Sequence, residues 1–214
     1  MSSVNRIRSI PRMNLIGFVS PIIGLIGILI SILLLPNWTW NDAISDLGSW
    51  FRKDFGEFQV ISAIIFNASL ILTGGLLFYF TILFIKKTTD IPTKLGMLIF
   101  SGTSLFLLMV GVFSEDFIVQ HAFAAISFFL SYPFAMWVTG LAWLRFPQQR
   151  WFAVLSLVLP FLCLWALITP WAGFAARELV SALGAIFWIW MINYLHYTDR
   201  LSNIFEKKKV ESTS

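Results

Sequence analysis

His121, Asp116 and Asp46 are residue types that together do general acid–base work. An imidazole takes the proton, and a carboxylate orients the ring. Asp46 lies in "NDAISDLGSW", Asn41 to Trp50, while Glu115, Asp116 and His121 lie in "GVFSEDFIVQHAFAA". With His121 as the base, the chemistry would be attack on an ester or phosphodiester. Ser45, Asn67, Glu115, Arg177 and Glu178 complete the set as groups able to bind a polar head. Ser45 carries the hydroxyl of a nucleophile, but no nucleophile-elbow sequence surrounds it. His121, Asp116 and Asp46 are also three metal-ligand types. With one histidine on that face no metal is expected, and no cofactor is expected either. Haem held by two histidines does not fit, because His121 and His196 fall at opposite ends of the elements described next.

Each of these residues has a plain structural use as well. His121 can be a solvated histidine at the membrane interface. Asn67 can join helices. Asp46 can bond its own loop, with Ser45 and Gly48 shaping a turn. Arg177 can snorkel to head groups. Arg177 and Glu178 are consecutive, so on a helix they point about 100° apart.

The elements that must position these groups are oily. The chain is 58% hydrophobic and 12% charged, with 22 Phe and 10 Trp among its 214 residues. A soluble domain carries roughly 25% charged residues, so this composition belongs to a membrane protein. The net charge of +4 is then a matter of loop placement, and no nucleic-acid partner is expected. One cysteine, Cys163, excludes an intrachain disulfide. No P-loop, dinucleotide fingerprint or metal-type cysteine spacing is present.

A helix crosses the hydrocarbon core with about 20 apolar residues. Six stretches qualify, at 15–36, 58–85, 95–113, 118–144, 151–169 and 174–196. The expected fold is an all-α, polytopic membrane helical bundle of six transmembrane helices. It is flanked by a basic segment at 1–14 and a basic tail at 197–214, whose lysine run suits anionic lipid head groups. Ser114 to Phe117 reads as a tight reversal, and Pro170 to Gly173 as a helix break. A re-entrant element in one of these tight pairs would leave four crossings instead. The first stretch has the basic flank of a signal peptide, but it is too long and lacks a small-residue cleavage site, so it is expected to stay.

Alternating the six helices puts twelve Lys and Arg on one side and three (Arg52, Lys53 and Arg177) on the other. The positive-inside rule then makes both termini cytoplasmic, in the plasma membrane. Seven of the eleven acids fall on the opposite, outer side. His121 and the Arg177–Glu178 pair each lie one turn into a helix there, beside Glu115 and Asp116, with Asn67 deeper. Ionisable groups in membrane segments tend to face the bundle interior and pair. Their convergence would make a polar pocket at the outer leaflet, with membrane lipid as its partner.

Other features read as structural. Ser20/Gly24, Gly27/Ser31 and Ser127/Ser131 are small-xxx-small spacings for close helix approach. Pro133 and Pro160 predict mid-membrane kinks. Trp38, Trp40, Trp50 and Trp171 are placed as an outer aromatic belt, and Trp143 and Trp151 as an inner one.

"SDLG" after the first helix, "FNASLILTGG" in the second and "GVFSEDFIVQHAFAA" across the third reversal resemble the prokaryotic membrane family catalogued as domain of unknown function 998. The resemblance spans roughly Leu15 to His196. It implies six helices and carries over Ser45, Asp46, Gly48, Asn67, Gly74, Gly111, Asp116 and His121. Ser114-Glu115 stands where the family pattern has a proline or small polar pair. The layout also resembles, more distantly, the eukaryotic FRAG/DRAM/Sfk-type proteins, some associated with lipid or GPI-anchor handling. The reading is an integral membrane protein with an outer-leaflet polar site that binds or modifies lipid. A non-catalytic scaffold or assembly partner is the alternative, and a small transporter the third.

Overall fold

The computed structural model describes residues 10–170 and 173–205. Six long helices run through it: α1 (Arg12–Leu34), α2 (Gln59–Lys87), α3 (Ile91–Val112), α4 (Ile118–Trp143), α5 (Arg150–Ile168) and α6 (Phe174–Tyr197). A short α7 (Ser202–Phe205) follows. All six are long and apolar enough to cross a membrane. Backbone groups cannot stay unpaired in hydrocarbon, so such runs must close their hydrogen bonds within a helix. The chain is therefore a multi-pass membrane protein with six spans.

Helix ends follow local chemistry. α3 starts at Ile91, ahead of the expected residue 95. There Asp90 accepts from the Thr93 amide at 3.0 Å and its hydroxyl at 2.6 Å, with proline in the first turn. The reversal between α3 and α4 is tight, closed by the Phe117 amide on the Ser114 carbonyl at 2.9 Å.

The small-xxx-small spacing in α1 does what it predicts. A Cβ on Gly27 would collide with Ser69 of α2, and one on Gly24 would meet the Thr73 hydroxyl. Thr73 in turn donates to the Ser20 carbonyl at 3.1 Å, and Ser31 to the Ser62 carbonyl at 3.3 Å. In α4, Ser131 pairs with Thr103 of α3 at 2.8 Å.

Two apolar cores result. One fills the half nearest Lys87, around Phe80, Phe84, Met97, Trp143, Trp188 and Ile192. The other fills the half nearest Asp46, around Leu35, Leu47, Phe55, Phe66 and Leu70. These halves are called here the basic end and the acidic end. At the basic end Asn14 and Asn193, both fully buried, bond reciprocally at 2.7–3.0 Å. His196 joins them through Asn14 at 3.0 Å. This ties α1 to α6.

The tryptophan belt needs correction. Trp143 is fully buried, with its indole N–H on the Thr93 hydroxyl at 2.9 Å. Trp38 is buried too and donates to the Ala43 carbonyl at 3.0 Å. A tryptophan near a helix end faces inward when a buried acceptor satisfies its N–H. Trp40, Trp50 and Trp151 are exposed. Trp171 lies outside the described residues, as do the first nine residues and the tail from 206. α1, α4 and α5 run without a break through Pro21, Pro133 and Pro160.

Candidate functional site

The long loop between α1 and α2 folds back over the acidic end. Its centre is a 3-10 turn, Ser45–Gly48, "SDLG". Three side chains of α2 hold that turn by its carbonyls. Gln59 Nε2 donates to Asp46 O at 3.1 Å and Ser49 O at 2.8 Å. Ser62 Oγ donates to Leu47 O at 2.9 Å, and Asn67 Nδ2 to Gly48 O at 2.9 Å. The turn can lie this close because Gly48 has no side chain. A Cβ there would sit 2.5 Å from Asn67 Oδ1 and 2.6 Å from Phe66 Cδ1. Asn67 is interhelical glue of a particular kind: it joins a helix to the cap.

Asp46 and Asp116 finish the cap. Asp46 accepts from the Ala43 amide at 2.9 Å and pairs with Arg52, which also reaches Asp54 at 2.9 Å. Asp46 is almost fully buried, so that guanidinium compensates a charge that water does not reach. Asp116 accepts from Ser49 Oγ and the Trp50 amide, both at 2.7 Å, and from Ser114 Oγ at 2.8 Å. Burial alone would raise its pKa, but the bonds from Trp50, Ser49 and Ser114 outweigh burial and hold it below the ordinary carboxylate value.

Glu115 points toward Asp46. Burial first, then a hydrogen bond and repulsion from the Asp46 carboxylate, push its pKa up to about 8. Glu115 is therefore mostly protonated at neutral pH. Its Oε2 is buried without a hydrogen-bond partner among the described residues. Glu178 of α6 bonds the Ile44 amide at 2.7 Å, which fastens the cap to α6 as well. Ala175 N, on the Trp40 carbonyl at 3.2 Å, adds a second tie.

Beneath the cap runs a slot between α1, α2, α3, α4 and α6. It extends along α6 from Glu178 to Ile189, eleven residues of helix and roughly 16 Å at 1.5 Å per residue. Its cavity volume is about 130 Å³, and it is partly open to the surroundings. Its body is apolar, with Leu25, Phe66, Leu70, Phe100, Phe128 and Ile186 among the walls. Polar side chains gather toward the cap: Ser45, His121 and Glu178. Half-buried wall residues lie on α1 (Leu25, Ile28), α4 (Ala125, Phe128) and α6 (Leu179, Ala182).

The structure sorts the sequence candidates into two groups. Ser45, His121 and Glu178 face the slot. Asp46, Asp116 and Asn67 hold the cap, and Glu115 sits against Asp46 between them. The expected bond from His121 to Asp46 or Asp116 is not made. His121 Nδ1 lies 2.8 Å from the Phe113 carbonyl, which closes the α3–α4 reversal over the ring. A carbonyl only accepts, so Nδ1 carries a proton, and in the neutral ring Nε2 is then the acceptor. Both carboxylates are meanwhile filled by donors closer in the cap. Arg177 lies over the Phe174 ring at 5.6 Å and makes no ion pair among the described residues.

Gln59, Ser62, Ser49 and Arg52 were not singled out from sequence. Their only signal is the spacing of Gln59, Ser62 and Asn67, which puts three polar groups near one face at the start of α2. Among the described residues no three of His, Cys, Asp and Glu are disposed to hold a metal ion.

A family profile described as "Protein of unknown function (DUF998)" matches residues 18–195. No curated protein and no solved structure shows a significant match.

Proposed function

The chain belongs to the DUF998 family, and on that premise we propose that it is a membrane protein that binds lipid, holding an apolar chain in the capped slot. The observation that carries the reading is the form of the slot. It is an apolar channel roughly 16 Å long, about half of a ~30 Å hydrocarbon core; the Thr73 hydroxyl in its wall is spent on the Ser20 carbonyl, and Ser45, His121 and Glu178 gather at one end. That is the polarity of one leaflet of lipid. Ligand sites are mostly apolar with a few placed polar groups, and empty space between packed helices forfeits contacts that a chain would restore.

In this reading the acidic end faces outward and both termini are cytoplasmic, in the plasma membrane. The support is the twelve-to-three division of Lys and Arg. The cap is then the roof of an outer-leaflet site. Binding is the proposed activity and no reaction is derived, because His121 is oriented by a backbone carbonyl and the carboxylates are engaged in the cap.

Native mass spectrometry tests this directly. Protein released from mild detergent should carry a lipid adduct, and Ala182→Trp, which fills the slot from α6, should lose it while staying folded. A lipid-free wild type, or equal adducts on both proteins, would leave the cap as a purely structural device and favour the scaffold reading.

A further inference from the structure

The slot's polar end has a distinct hydrogen-bonding character. Among the described residues, His121 and Glu178 are the ionisable ones that line it, and no described Lys or Arg does. In its neutral form His121 has Nε2 as an acceptor, because Nδ1 donates to the Phe113 carbonyl. One Glu178 oxygen accepts from Ile44, and the other has no partner among the described residues. Ser45, also without a side-chain bond among the described residues, can donate or accept. Behind them stand the Asp46 and Glu115 carboxyls. The cations nearby are turned elsewhere: Arg52 to Asp46 and Asp54, Arg177 over Phe174, and Lys53 into the exposed loop. The end therefore offers hydrogen-bond acceptors, with no Lys or Arg among its described lining residues to pair with an anion.

The slot is also narrow. A cavity volume of about 130 Å³ spread over roughly 16 Å leaves room for a single file of carbon atoms. Carbons pack about 4 Å apart, so one alkyl chain fits and two side by side do not.

We propose that the slot selects a single-chain amphiphile whose head is a hydrogen-bond donor, a hydroxyl or an amine, and rejects a carboxylate or phosphate head. This rests on the lipid-holding reading and adds the head-group chemistry to it. A hydroxyl donates to His121 Nε2 or Glu178 and accepts from Ser45. An ammonium gains the Glu178 charge as well. A carboxylate finds one hydroxyl donor and a like charge.

The test uses three probes with the same chain, hexadecanol, hexadecylamine and palmitate, titrated onto delipidated full-length protein in one detergent at neutral pH. Binding is read by native mass spectrometry. The alcohol and the amine should each bind at least tenfold tighter than palmitate. Glu178→Gln keeps an acceptor for the Ile44 amide while removing the charge, so it should cut the amine's preference over palmitate severalfold. Comparing that ratio between the two proteins cancels partition into detergent. Palmitate binding as tightly as the other two, or an amine-to-palmitate ratio unchanged in Glu178→Gln, overturns the head-group selection and leaves lipid binding standing. Binding of none of the three removes both.

Discussion

Asn67 and Gly48 are locked together: the asparagine amide donates to the glycine carbonyl at 2.9 Å, and its own oxygen occupies the place a glycine side chain would need. The pair joins "SDLG" to "FNAS" across 19 residues of chain. Gly48→Ala forces the cap off α2, and Asn67→Ala leaves a buried carbonyl unpaired. Each should cost about 1–3 kcal/mol. Because both act on one contact, the double variant should cost clearly less than the sum. Thermal unfolding in detergent, followed by tryptophan fluorescence, measures all three.

Asp116 should make the cap sensitive to acid. Its pKa is lowered in the folded protein, so its stabilisation is complete above the ordinary carboxylate value and is lost as pH falls through the lowered one. Asp116→Asn removes the charge behind three hydrogen bonds. It should lower stability at pH 7 by about 1–3 kcal/mol, with the gap to wild type narrowing at acid pH. A constant gap down to pH 3 would refute this.

Glu115 works in the other direction. Its pKa is raised from 4.5 to about 8, so the folded state binds more protons than the unfolded state between those values. The stabilisation is fully present below pH 4.5 and is lost as pH rises toward 8. Glu115→Gln should flatten that decline. An unfolding midpoint for wild type that is level across the window, or one that falls equally in the variant, would show that Glu115 ionises normally.

Gly74 and Gly102 are contrasting helix glycines. A Cβ on Gly74 would lie 2.6 Å from Leu108 N and 2.7 Å from Ser104 O, both backbone atoms of α3. Gly111 meets the Asn67 carbonyl of α2 at 2.6 Å in the same sense. Around Gly102 nothing lies within 4 Å. Gly74→Ala should therefore destabilise by about 1–3 kcal/mol, and Gly102→Ala should be neutral or gain up to about 1 kcal/mol of helix propensity.

The membrane orientation has its own test. Lys53 and Gln148 are exposed at the acidic and basic ends. Cys163 is buried, so it adds little background. In intact cells a membrane-impermeant maleimide should label Lys53→Cys and spare Gln148→Cys until the membrane is opened. The reverse pattern would invert the proposed topology.

The six spans were legible in the chain before any contact was known. A run of about 20 apolar residues has one way to satisfy its backbone in lipid. The small residues of α1 declared a close interface, and Gly27 against Ser69 makes one. The polar residues at the acidic end were legible as a group, because each interrupts an oily element near one boundary. Their division of labour was not. Whether Asp116 orients His121 or holds Ser49 and Trp50 depends on helix rotation and on the path of the 24-residue loop between Leu34 and Gln59, and neither leaves a periodic trace. The same holds for Ile44 and Glu178, bonded across 134 residues. Composition and apolar periodicity determined that this is a six-span helical membrane protein with its acids gathered at one end, because burial in lipid acts on each segment alone. Only the tertiary structure decided that Asp46, Asp116 and Asn67 roof a slot and that Ser45, His121 and Glu178 face into it, because side-chain hydrogen bonds go to whichever partner the packed helices bring within reach.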